Sequence, residues 1–414
     1  MDILDFSKQL PPWLDQELFN NAIQTYESDP HAKVISFDIK AATQPGENFA
    51  SAVYRATIKF TSKYQKDVKE MSVIIKTQPV NVDLPGMEHM KDTTLFKNEI
   101  GVYLNVLGEM QELITSAGYK DVMCPRLIYQ TMTPKPVIML EDVTLSGFDT
   151  AIKSIHEDFE LSKMVIKRLA KFHAASFYLQ NEQKIDATQF DACIFKVEPI
   201  CNMIYGNSYD TLIGLMSKWE GFEEFVEPLK KMRQSYMEKS AKSYTACTGS
   251  GAFNVLNHGD FHFKNMLYKM DKDGGKVEDF VMYDFQICVY STPAIDICYY
   301  LYNFVSDEDR ISRFNEILAT YHEQFVEALK KFGYLKQPPT LLDLQVEMLK
   351  NGHLQAQCAM LLYPFMILDM STFTAEDFAV GMNFFNQKTF ENERFKKVIK
   401  EELKIFLHKG FLGN

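Results

Sequence analysis

The sequence contains no apolar run that approaches the roughly 20 residues of a membrane-spanning helix. The nearest candidate, Cys358–Leu368, is short and is interrupted by Pro364. A secretory signal needs a basic stretch ahead of its apolar core, but Met1–Asp5 carries acid there instead. We therefore expect neither a membrane span nor a secretory signal.

Cysteine is sparse and shows no pattern. Seven cysteines are scattered along 414 residues, their number is odd, and no two of them form C-x-x-C. A disulfide framework needs paired cysteines, and a structural zinc site needs closely spaced ligands, so neither is predicted. The expectation is a reduced, cytoplasmic protein.

An excess of positive charge is also missing. The chain carries 44 Lys and Arg against 55 Asp and Glu, a net charge of -11, which argues against nucleic acid as the main partner. At 46% apolar and 24% charged residues the composition is that of a globular protein, and the length suffices for two lobes. A small-molecule partner fits this composition best.

The residues that point most directly to chemistry lie in His258–Asn265, which reads H-G-D-F-H-F-K-N. Asp260 and Asn265 have the spacing of the phosphotransfer loop H-R-D-x-x-x-x-N, in which the Asp orients the acceptor hydroxyl and the Asn holds a metal ion. Asp284 then becomes the candidate for a second metal ligand. The competing interpretation is a surface hairpin with incidental polar residues; the two spacings together favour the site.

A predicted hairpin supports this pairing. Residues 265–269 and 279–283 resemble short strands, and the segment between them is polar and contains Gly274 and Gly275. Folding the chain about these glycines predicts that Asn265 lies opposite Asp284. Mg²⁺ prefers oxygen ligands and keeps waters and phosphate oxygens in its remaining positions, so one carboxylate and one amide oxygen suffice.

The secondary-structure pattern divides the chain into two parts. Strand-like alternation over residues 52–60 and 69–76 is followed by a helix at 94–104 and by two strands near 126–130 and 137–140. From about Phe159 the pattern is mostly helical. The prediction is an α+β, bilobal, protein-kinase-like fold, with a nucleotide-binding lobe over residues 1–142, a helical lobe over 143–414, and the nucleotide in the cleft between them.

A kinase also needs a lysine for the phosphates and an acid to position it. Lys76 ends a predicted strand, V-I-I-K, and Glu99 on the next helix is the expected ion-pair partner. Upstream, the loop with Gly46, Asn48 and Ser51 stands where a phosphate-covering loop belongs. This loop has one glycine instead of three, so side chains are expected to help to bind the phosphates. A plain hairpin loop fits the same sequence almost equally well.

Several further residues are expected to bind the nucleotide or to support the loop. The strand ending at Glu141 and Val143 has an extended backbone that could hydrogen-bond adenine, although a connector without ligand contact fits the same sequence. His258 and His262 are expected to orient the loop, since neither has a partner at metal-ligand spacing. Asp296 stands among apolar residues and needs a partner, so we expect it to hold the catalytic loop.

Taken together, these motifs resemble the ecdysteroid kinase-like family of arthropods, also called the CHK kinase-like group, within the aminoglycoside phosphotransferase and choline kinase superfamily. The resemblance rests on His258–Met266, Tyr283–Gln286 and Pro293–Ile297, and the N-terminal signals occur in the expected order. Protein kinases differ: Gly259 stands in place of the Arg of H-R-D, Gln286 in place of the Gly of D-F-G, and no A-P-E segment is evident.

The resemblance implies ATP-dependent phosphorylation of a hydroxyl on an ecdysteroid or, in detoxifying members, on a foreign alcohol or phenol. Asp260 would position and deprotonate the hydroxyl, Asn265 and Asp284 would carry Mg²⁺, and Lys76 would bind the α- and β-phosphates with support from Glu99. Alternatives are a choline or ethanolamine kinase, which shares every catalytic residue, and a nucleotide- or steroid-binding protein that has lost catalysis.

Acceptor recognition is expected in residues 191–251 and 340–385. The second segment is rich in Met and aromatic residues that would suit an apolar pocket. Such residues on helices more often form core, which is the stronger interpretation. They are Met348, Met360, Tyr363, Phe365, Met366, Met370, Phe373, Phe378 and Phe384.

Overall fold

The computed structural model describes residues 10–42, 51–63, 65–80, 94–150, 158–249, 251–368 and 387–412. The chain forms two compact units, each assembled from several segments. Unit 1 comprises Met1–Gly108, Val122–Ala151 and Met266–Gln286, and unit 2 comprises Glu109–Asp121, Ile152–Asn265 and Ile287–Asn414. Within the described ranges, no helix has the length and apolar character needed to cross a membrane.

Unit 1 is built on an antiparallel sheet of five strands in the order β1-β2-β3-β5-β4. Alternating burial along β2 gives the sheet an apolar face, and helix α1 packs on it. The strands are β1 (Lys33–Ala41), β2 (Ala52–Ser62), β3 (Gln65–Thr77), β4 (Leu127–Thr131) and β5 (Val137–Glu141), and the helices are α1 (Gln16–Glu27) and α2 (Thr94–Val102).

Helix α2 does not end where the sequence pattern predicted. It continues through a π-helical turn, Tyr103–Leu107, into α3 (Gly108–Ser116). The glycine at position 101 and the π turn do not interrupt the helical path, because the helix buries an apolar face that includes Phe96, Ile100 and Val106.

A smaller sheet in unit 1 has the order β6-β8-β9 and contains the predicted hairpin. Its strands are β6 (Phe148–Asp149), β8 (Met266–Met270) and β9 (Val277–Met282). The turn is held by Gly275 N–H, which donates to Asp271 Oδ1 over 2.9 Å. The pairing ends at Met266 opposite Met282, which is one residue out of register with the predicted pairing of 265 with 284. The turn is centred between Asp273 and Gly274, since Met270 faces Val277, and not between Gly274 and Gly275 as predicted. The irregularity between Lys269 and Met270 offsets part of that difference.

Unit 2 is mainly helical. The central pair is α4 (Phe159–Asn181) with α10 (Phe314–Phe332), and a two-stranded sheet joins β7 (Val255–Asn257) to β10 (Val289–Ser291). The other helices are α5 (Glu198–Cys201), α6 (Asn207–Met216), α7 (Glu223–Ser243), α8 (Ala294–Asn303), α9 (Asp307–Ser312), α11 (Leu341–Lys350), α12 (Gly352–Gln357), α13 (Tyr363–Met366) and α14 (Glu393–His408).

Sequence signals mark the ends of these helices. Gly333 ends α10 in the left-handed region at φ 84°, where its N–H reaches the carbonyls of the last turn. The apolar stripe of α10, which includes Ile317, Tyr321, Phe325 and Leu329, is buried. The α+β class, with an antiparallel sheet in the N-terminal region and a mostly helical remainder, is confirmed. The hairpin Met266–Gln286 belongs to unit 1, whereas the sequence analysis assigned residues 143–414 to one lobe.

A buried ion pair in unit 2 gives a test of the fold. Arg310 Nε donates to Glu402 Oε1 over 2.7 Å, the Tyr302 hydroxyl donates to Glu402 Oε2 over 2.7 Å, and Arg310 and Glu402 are each 3% exposed. Removing one member of a buried pair leaves an uncompensated charge. We predict that Glu402→Ala lowers the free energy of unfolding by about 3–5 kcal/mol in urea titrations.

The neighbouring Glu401 supplies the control. It pairs with Lys404 at the surface, where its side chain is 61% exposed, and such pairs contribute about 0–1 kcal/mol. Glu401→Ala should therefore leave the unfolding curve almost unchanged. Equal losses in the two variants would contradict the role assigned to the buried pair.

Candidate active site

The loop His258–Asn265 runs from the end of β7 to β8, and a short 3₁₀ turn, Phe263–Asn265, closes it. The Asn265 amide donates to the Asp260 carboxylate over 3.0 Å and to the Asp260 carbonyl over 3.1 Å. His262 Nε2 lies 3.3 Å from the same carboxylate. The predicted Asp and Asn are thus in contact, and these two hydrogen bonds use the Asn265 amide nitrogen and not its oxygen.

A buried carboxylate anchors the start of this loop. Asp296 on α8 is fully buried, and its two oxygens accept the backbone N–H groups of His258 over 2.6 Å and of Gly259 over 2.9 Å. His173 Nε2 lies 3.1 Å from Asp296, and His173 Nδ1 lies 2.8 Å from the Tyr321 hydroxyl. The chain Tyr321, His173 and Asp296 therefore links α10 and α4 to the loop.

The protonation of His173 follows from its burial. Removal from water lowers the pKa of His173, against the opposing effect of Asp296. The neutral ring has one donor and one acceptor nitrogen. Since the Asp296 carboxylate accepts, His173 donates from Nε2 and accepts the Tyr321 hydroxyl at Nδ1.

Gly259 has no room for a side chain. Its φ is +83°, and a Cβ built on it would lie 2.1 Å from the carbonyl oxygen of Ile287. Both the left-handed backbone and the close approach require glycine here. Gly259 stands where H-R-D has its Arg, and this geometry explains why glycine is necessary at that point of the loop.

The surroundings of Asp260 keep it ionised. Burial alone would raise the pKa of the Asp260 carboxyl, but His262, His258 and the Asn265 amide together hold it below its ordinary value. The loop thus presents a carboxylate that can accept a proton or a hydrogen bond from a hydroxyl.

In unit 1, a second group of charges surrounds Lys76. The Lys76 ammonium donates to Glu99 Oε2 over 2.6 Å and to Asp284 Oδ1 over 2.7 Å. Lys76 and Glu99 are buried, whereas the Asp284 side chain is 23% exposed. The Lys76–Glu99 ion pair has the predicted geometry, and the contact with Asp284 was not foreseen.

Helix α2 also fixes the segment after β9. The Asn98 amide donates to the Gln286 carbonyl over 3.0 Å, and the Tyr103 ring meets Phe285 edge-on with centroids 5.7 Å apart. Asp284 itself has φ 66°, an uncommon value for a residue other than glycine. The contacts of the two residues that follow Asp284 help to hold this backbone conformation.

Lys76 pairs with two carboxylates, and this arrangement shifts the pKa values of Glu99 and Lys76. Burial raises the pKa of Glu99 to about 7, and Asp284 adds to this effect while Lys76 opposes it. Burial by itself lowers the pKa of Lys76, but Asp284 and Glu99 outweigh it and hold the value above normal. Lys76 is therefore charged at neutral pH.

The comparison that decides the family is with sequence profiles. The profile of the ecdysteroid kinase-like family matches residues 45–334, well over half of the chain. The chain belongs to the ecdysteroid kinase-like family. It is accordingly a phosphotransferase with a small-molecule acceptor, and the match contains the loop His258–Asn265 and the residues around Lys76. No curated protein matches this chain in sequence.

Solved structures give a weaker likeness. The GDP complex of a point mutant of aminoglycoside 2′-phosphotransferase-IIIa is 13% identical, with 96% of this chain and 97% of that chain covered and a TM-score of 0.35. The GDP complex of the wild-type enzyme is 12% identical, with coverages of 94% and 99% and a TM-score of 0.34. Scores at this level do not establish a shared fold.

The structure describes only some of the other residues that were predicted to bind the nucleotide in this ecdysteroid kinase-like chain. Gly46 and Asn48 lie outside the described residues, and Ser51, just before β2, is buried. The Glu141 N–H donates to the Arg126 carbonyl over 2.9 Å, so this donor is already used. Val143 starts a 3₁₀ turn after β5.

Asp142, between those two residues, was not singled out from the sequence. It is buried, and its carboxylate accepts from Arg55 Nε over 2.8 Å, from Ser72 Oγ over 2.6 Å and from the Thr144 hydroxyl over 2.6 Å. These contacts tie the end of β5 to β2 and β3. An acid at a strand exit, surrounded by apolar residues, was the available signal.

The predicted metal ligands have suitable chemistry. Asn265 offers an amide oxygen in unit 2, and Asp284 offers a carboxylate in unit 1, both of which are ligand types that Mg²⁺ accepts. Over the described ranges, no group of three or more His, Cys, Asp or Glu side chains forms a separate metal cage. The pairing of Asn265 with Asp284 on one cation remains a prediction from the motif.

Unit 2 also contains an apolar cavity of about 280 Å³. Both segments expected to recognise the acceptor contribute to it, and so does α8. None of the lining residues, all of which lie in the described ranges, carries a formal charge. They are Phe195, Ile204, Tyr205, Ser208, Tyr244, Ile295, Tyr299, Leu354, Gln357, Cys358, Leu361, Leu362, Phe365 and Met366.

Five of the Met and aromatic residues highlighted in the second segment lie in the described ranges, and two of these five line the cavity. Phe365 and Met366 do, whereas Met348, Met360 and Tyr363 are buried core residues. The remaining four, Met370, Phe373, Phe378 and Phe384, lie outside the described residues. For the three core residues the stronger interpretation, that such side chains fill the interior, is correct.

The hydrogen bond between His173 and Tyr321 was not predicted from the sequence. His173 lies in a run of apolar residues on α4, and nothing in its sequence neighbourhood distinguishes it from them. A histidine that is fully buried must have hydrogen-bond partners. That requirement was the signal that could have identified it.

Gly259→Ala tests the tight loop. We predict a larger loss of unfolding free energy and of phosphotransferase activity than for Gly274→Ala. Both positions have positive φ, but a Cβ at Gly274 meets no atom within 4 Å, whereas at Gly259 it collides with the Ile287 carbonyl. Urea unfolding and steady-state rates measure the difference, and indistinguishable variants would contradict the steric requirement.

The raised pKa of Glu99 predicts a pH dependence of stability. Between the ordinary value of 4.5 and about 7, the folded protein retains a proton that the unfolded chain has released. The Glu99 contribution is therefore full below 4.5 and is lost as pH rises through 7. We expect Glu99→Gln to remove this decline in urea titrations from pH 5 to 8. An unchanged slope in the variant would show that Glu99 titrates normally.

Proposed function

We propose that this protein is an ATP- and Mg²⁺-dependent kinase that transfers the γ-phosphoryl group to a hydroxyl of an ecdysteroid, or of a related steroid, xenobiotic alcohol or phenol. The observation that carries the proposal is the Asp260 carboxylate. It is held ionised, positioned by Asn265 and His262, and set on a loop that Asp296 anchors to the core of unit 2.

Asp260 orients the acceptor hydroxyl and takes its proton. The acceptor oxygen then bonds to the γ-phosphorus while the bond from that phosphorus to the bridging oxygen breaks, which leaves ADP. Phosphoryl transfer depends mainly on positioning and charge neutralisation. A carboxylate held by two neighbours, Asn265 and His262, suits this task, because little reorganisation is needed at the moment of reaction.

Lys76 supplies charge for the nucleotide phosphates in this proposal, with Glu99 as its support. Asn265 and Asp284 would hold Mg²⁺, which neutralises phosphate charge when bound. Gly46, Asn48 and Ser51 would cover the phosphates, and the backbone near Glu141 and Val143 would meet adenine. The ion pairs of Lys76 support its role, since they hold its ammonium in place and keep it charged.

The cavity in unit 2 supports an uncharged acceptor. Its lining is aromatic and aliphatic, with Ser208, Gln357 and tyrosine hydroxyls as polar groups. A cationic acceptor such as choline would find no carboxylate among these lining residues, although aromatic rings are present. All seven cysteines are unpaired, which supports the proposal of a reduced, cytoplasmic setting.

An acceptor screen with labelled ATP tests the proposal. Ecdysteroids, plant phenols, choline and an aminoglycoside are offered with and without Mg²⁺. We expect phosphorylation of the first two classes, lost on chelation. Asp260→Asn should lower kcat roughly 10²–10⁴-fold, the contribution typical of a general base.

Asp273→Asn is the matched control, because it makes the same chemical change at an exposed position in the turn between β8 and β9. It should retain the wild-type rate. Full activity in Asp260→Asn, or turnover of choline alone, would overturn the proposed function.

A further inference from the structure

Two π turns form a large part of the wall of the cavity in unit 2. They are Asn202–Gly206, which precedes α6, and Cys358–Leu362, which follows α12. A π turn closes its hydrogen bonds one residue further along the chain than an α-helix does; it is rare and is found mostly at functional sites. Five of the 14 lining residues come from these turns, namely Ile204, Tyr205, Cys358, Leu361 and Leu362. The cavity is therefore shaped by irregular backbone at two separate places, which favours a function for it.

A cavity of this size is unusual in a folded protein. Interiors are packed about as tightly as organic crystals, and voids larger than a water molecule are few. An unfilled apolar cavity lowers stability in proportion to its volume. This one measures about 280 Å³, and Ile295 and Leu361 on its wall are buried. A ligand that fills the space would restore the missing packing contacts.

The lining residues determine the kind of ligand. Phe195, Tyr205 and Tyr244 form an aromatic cluster, in which the Phe195 ring centroid lies 5.0 Å from that of Tyr205 and 5.2 Å from that of Tyr244. Such rings pack well against another flat ring. The lining includes no Lys, Arg, Asp or Glu, so a charged ligand would lose its hydration without gaining an opposite charge. The chemistry favours an uncharged ligand that contains flat rings.

The volume limits how much of a ligand is enclosed. An apolar cavity of about 150 Å³ holds benzene, which corresponds to roughly 25 Å³ for each non-hydrogen atom. At that ratio, the cavity of about 280 Å³ encloses roughly eleven such atoms, the size of two fused rings with one hydroxyl. Ile204 lines the cavity but is 43% exposed, so it marks the open side. A larger molecule would extend outward there.

One helix connects this cavity to the catalytic loop. Ile295 on α8 lines the cavity, and the next residue, Asp296, accepts the N–H of Gly259 over 2.9 Å. Gly259 directly precedes Asp260 in the chain. The same short helix therefore forms part of the cavity wall and anchors the loop that carries the proposed base.

We propose that the cavity is the ring-binding part of the acceptor site and encloses one uncharged unit of about two fused rings. This proposal rests on the proposed function and adds a limit of size and charge to its acceptor. A bicyclic phenol is enclosed whole. A steroid places one end of its ring system in the cavity and keeps the remainder outside, on the side of Ile204.

The test measures binding to the full-length protein without ATP, so it does not depend on turnover. The probes are phenol, 2-naphthol and 2-phenanthrol, which each carry one hydroxyl and differ by one fused ring per step, and calorimetry gives their affinities. We expect 2-naphthol to bind at least about tenfold more tightly than phenol, because a second ring is buried. For 2-phenanthrol we expect at most about a threefold further gain, because the third ring stays outside. The charged analogue 2-naphthalenesulfonate should bind at least about tenfold more weakly than 2-naphthol.

A variant that narrows the cavity supports the assignment of these effects to this site. Cys358→Phe places a ring among the lining residues, so the preference for 2-naphthol over phenol should fall to about twofold or less. Cys247→Phe is the matched control, because it makes the same change at an exposed cysteine that does not line the cavity. It should keep the preference of the wild type.

A second variant widens the cavity and should act in the opposite direction. Leu361→Ala removes part of a buried lining side chain, so 2-phenanthrol should gain about tenfold over 2-naphthol. Leu349→Ala, at a leucine that is 57% exposed and outside the lining, should leave the series unchanged. Urea unfolding midpoints establish that each variant is folded, and the wild-type series stands by itself if one is not.

The outcomes separate this inference from the proposed function. Equal affinities for phenol and 2-naphthol, a tenfold further gain for 2-phenanthrol in the wild type, or equal losses in Cys358→Phe and Cys247→Phe overturn the size limit, even if Asp260→Asn abolishes turnover. The expected series with the expected shifts supports the cavity as the ring-binding site, even if the acceptor screen fails. In active protein, Cys358→Phe should raise KM for 2-naphthol more than it lowers kcat.

Discussion

The catalytic loop depends on one buried carboxylate. The two oxygens of Asp296 accept hydrogen bonds from the consecutive backbone N–H groups of His258 and Gly259. The neutral His173 ring donates a third hydrogen bond to the same carboxylate. A buried charge is tolerated only when hydrogen bonds satisfy it, and here the loop backbone provides those bonds. The position of Asp260 thus follows from the solvation needs of a residue that does not react. Removing the loop geometry would leave Asp296 unsatisfied, which is why the two are stable together.

Unit 1 uses the same principle with opposite charges. Lys76 is buried with two carboxylates, so its charge is compensated and one of its partners, Glu99, has a pKa near neutrality. Asn98 and Tyr103 on α2 bring Gln286 and Phe285 to the same helix as Glu99. One helix therefore positions the lysine through Glu99 and also the segment that contains Asp284.

Much of the fold and of the candidate site could be predicted from the hydrophobic pattern and from the order of the motifs. Period-2 alternation located β2 and β3, the pattern after about Phe159 indicated a mostly helical region, and the order of strand, lysine and helix predicted the Lys76–Glu99 pair. The hairpin register was wrong by one residue, because the turn is centred one residue before the predicted Gly274-Gly275 midpoint and the irregularity between Lys269 and Met270 offsets only part of that difference. His173 and Asp142 were missed since a buried polar residue in an apolar run resembles its neighbours until its partners are known. The cavity wall at residues 354–366 lies beyond the family match, so the motifs that identify the chemistry say nothing about this part of the cavity.

The crowding at Gly259 restricts how this enzyme could be regulated. Protein kinases that are switched on by phosphorylation carry an arginine at this point of the loop, which pairs with the added phosphate. Here any side chain would run into the Ile287 carbonyl, and the backbone has a conformation that favours glycine. No single substitution can install that arginine without first remodelling the segment after Gln286. Control through a phosphate that pairs with an arginine at this point of the loop is therefore incompatible with the loop as it is built.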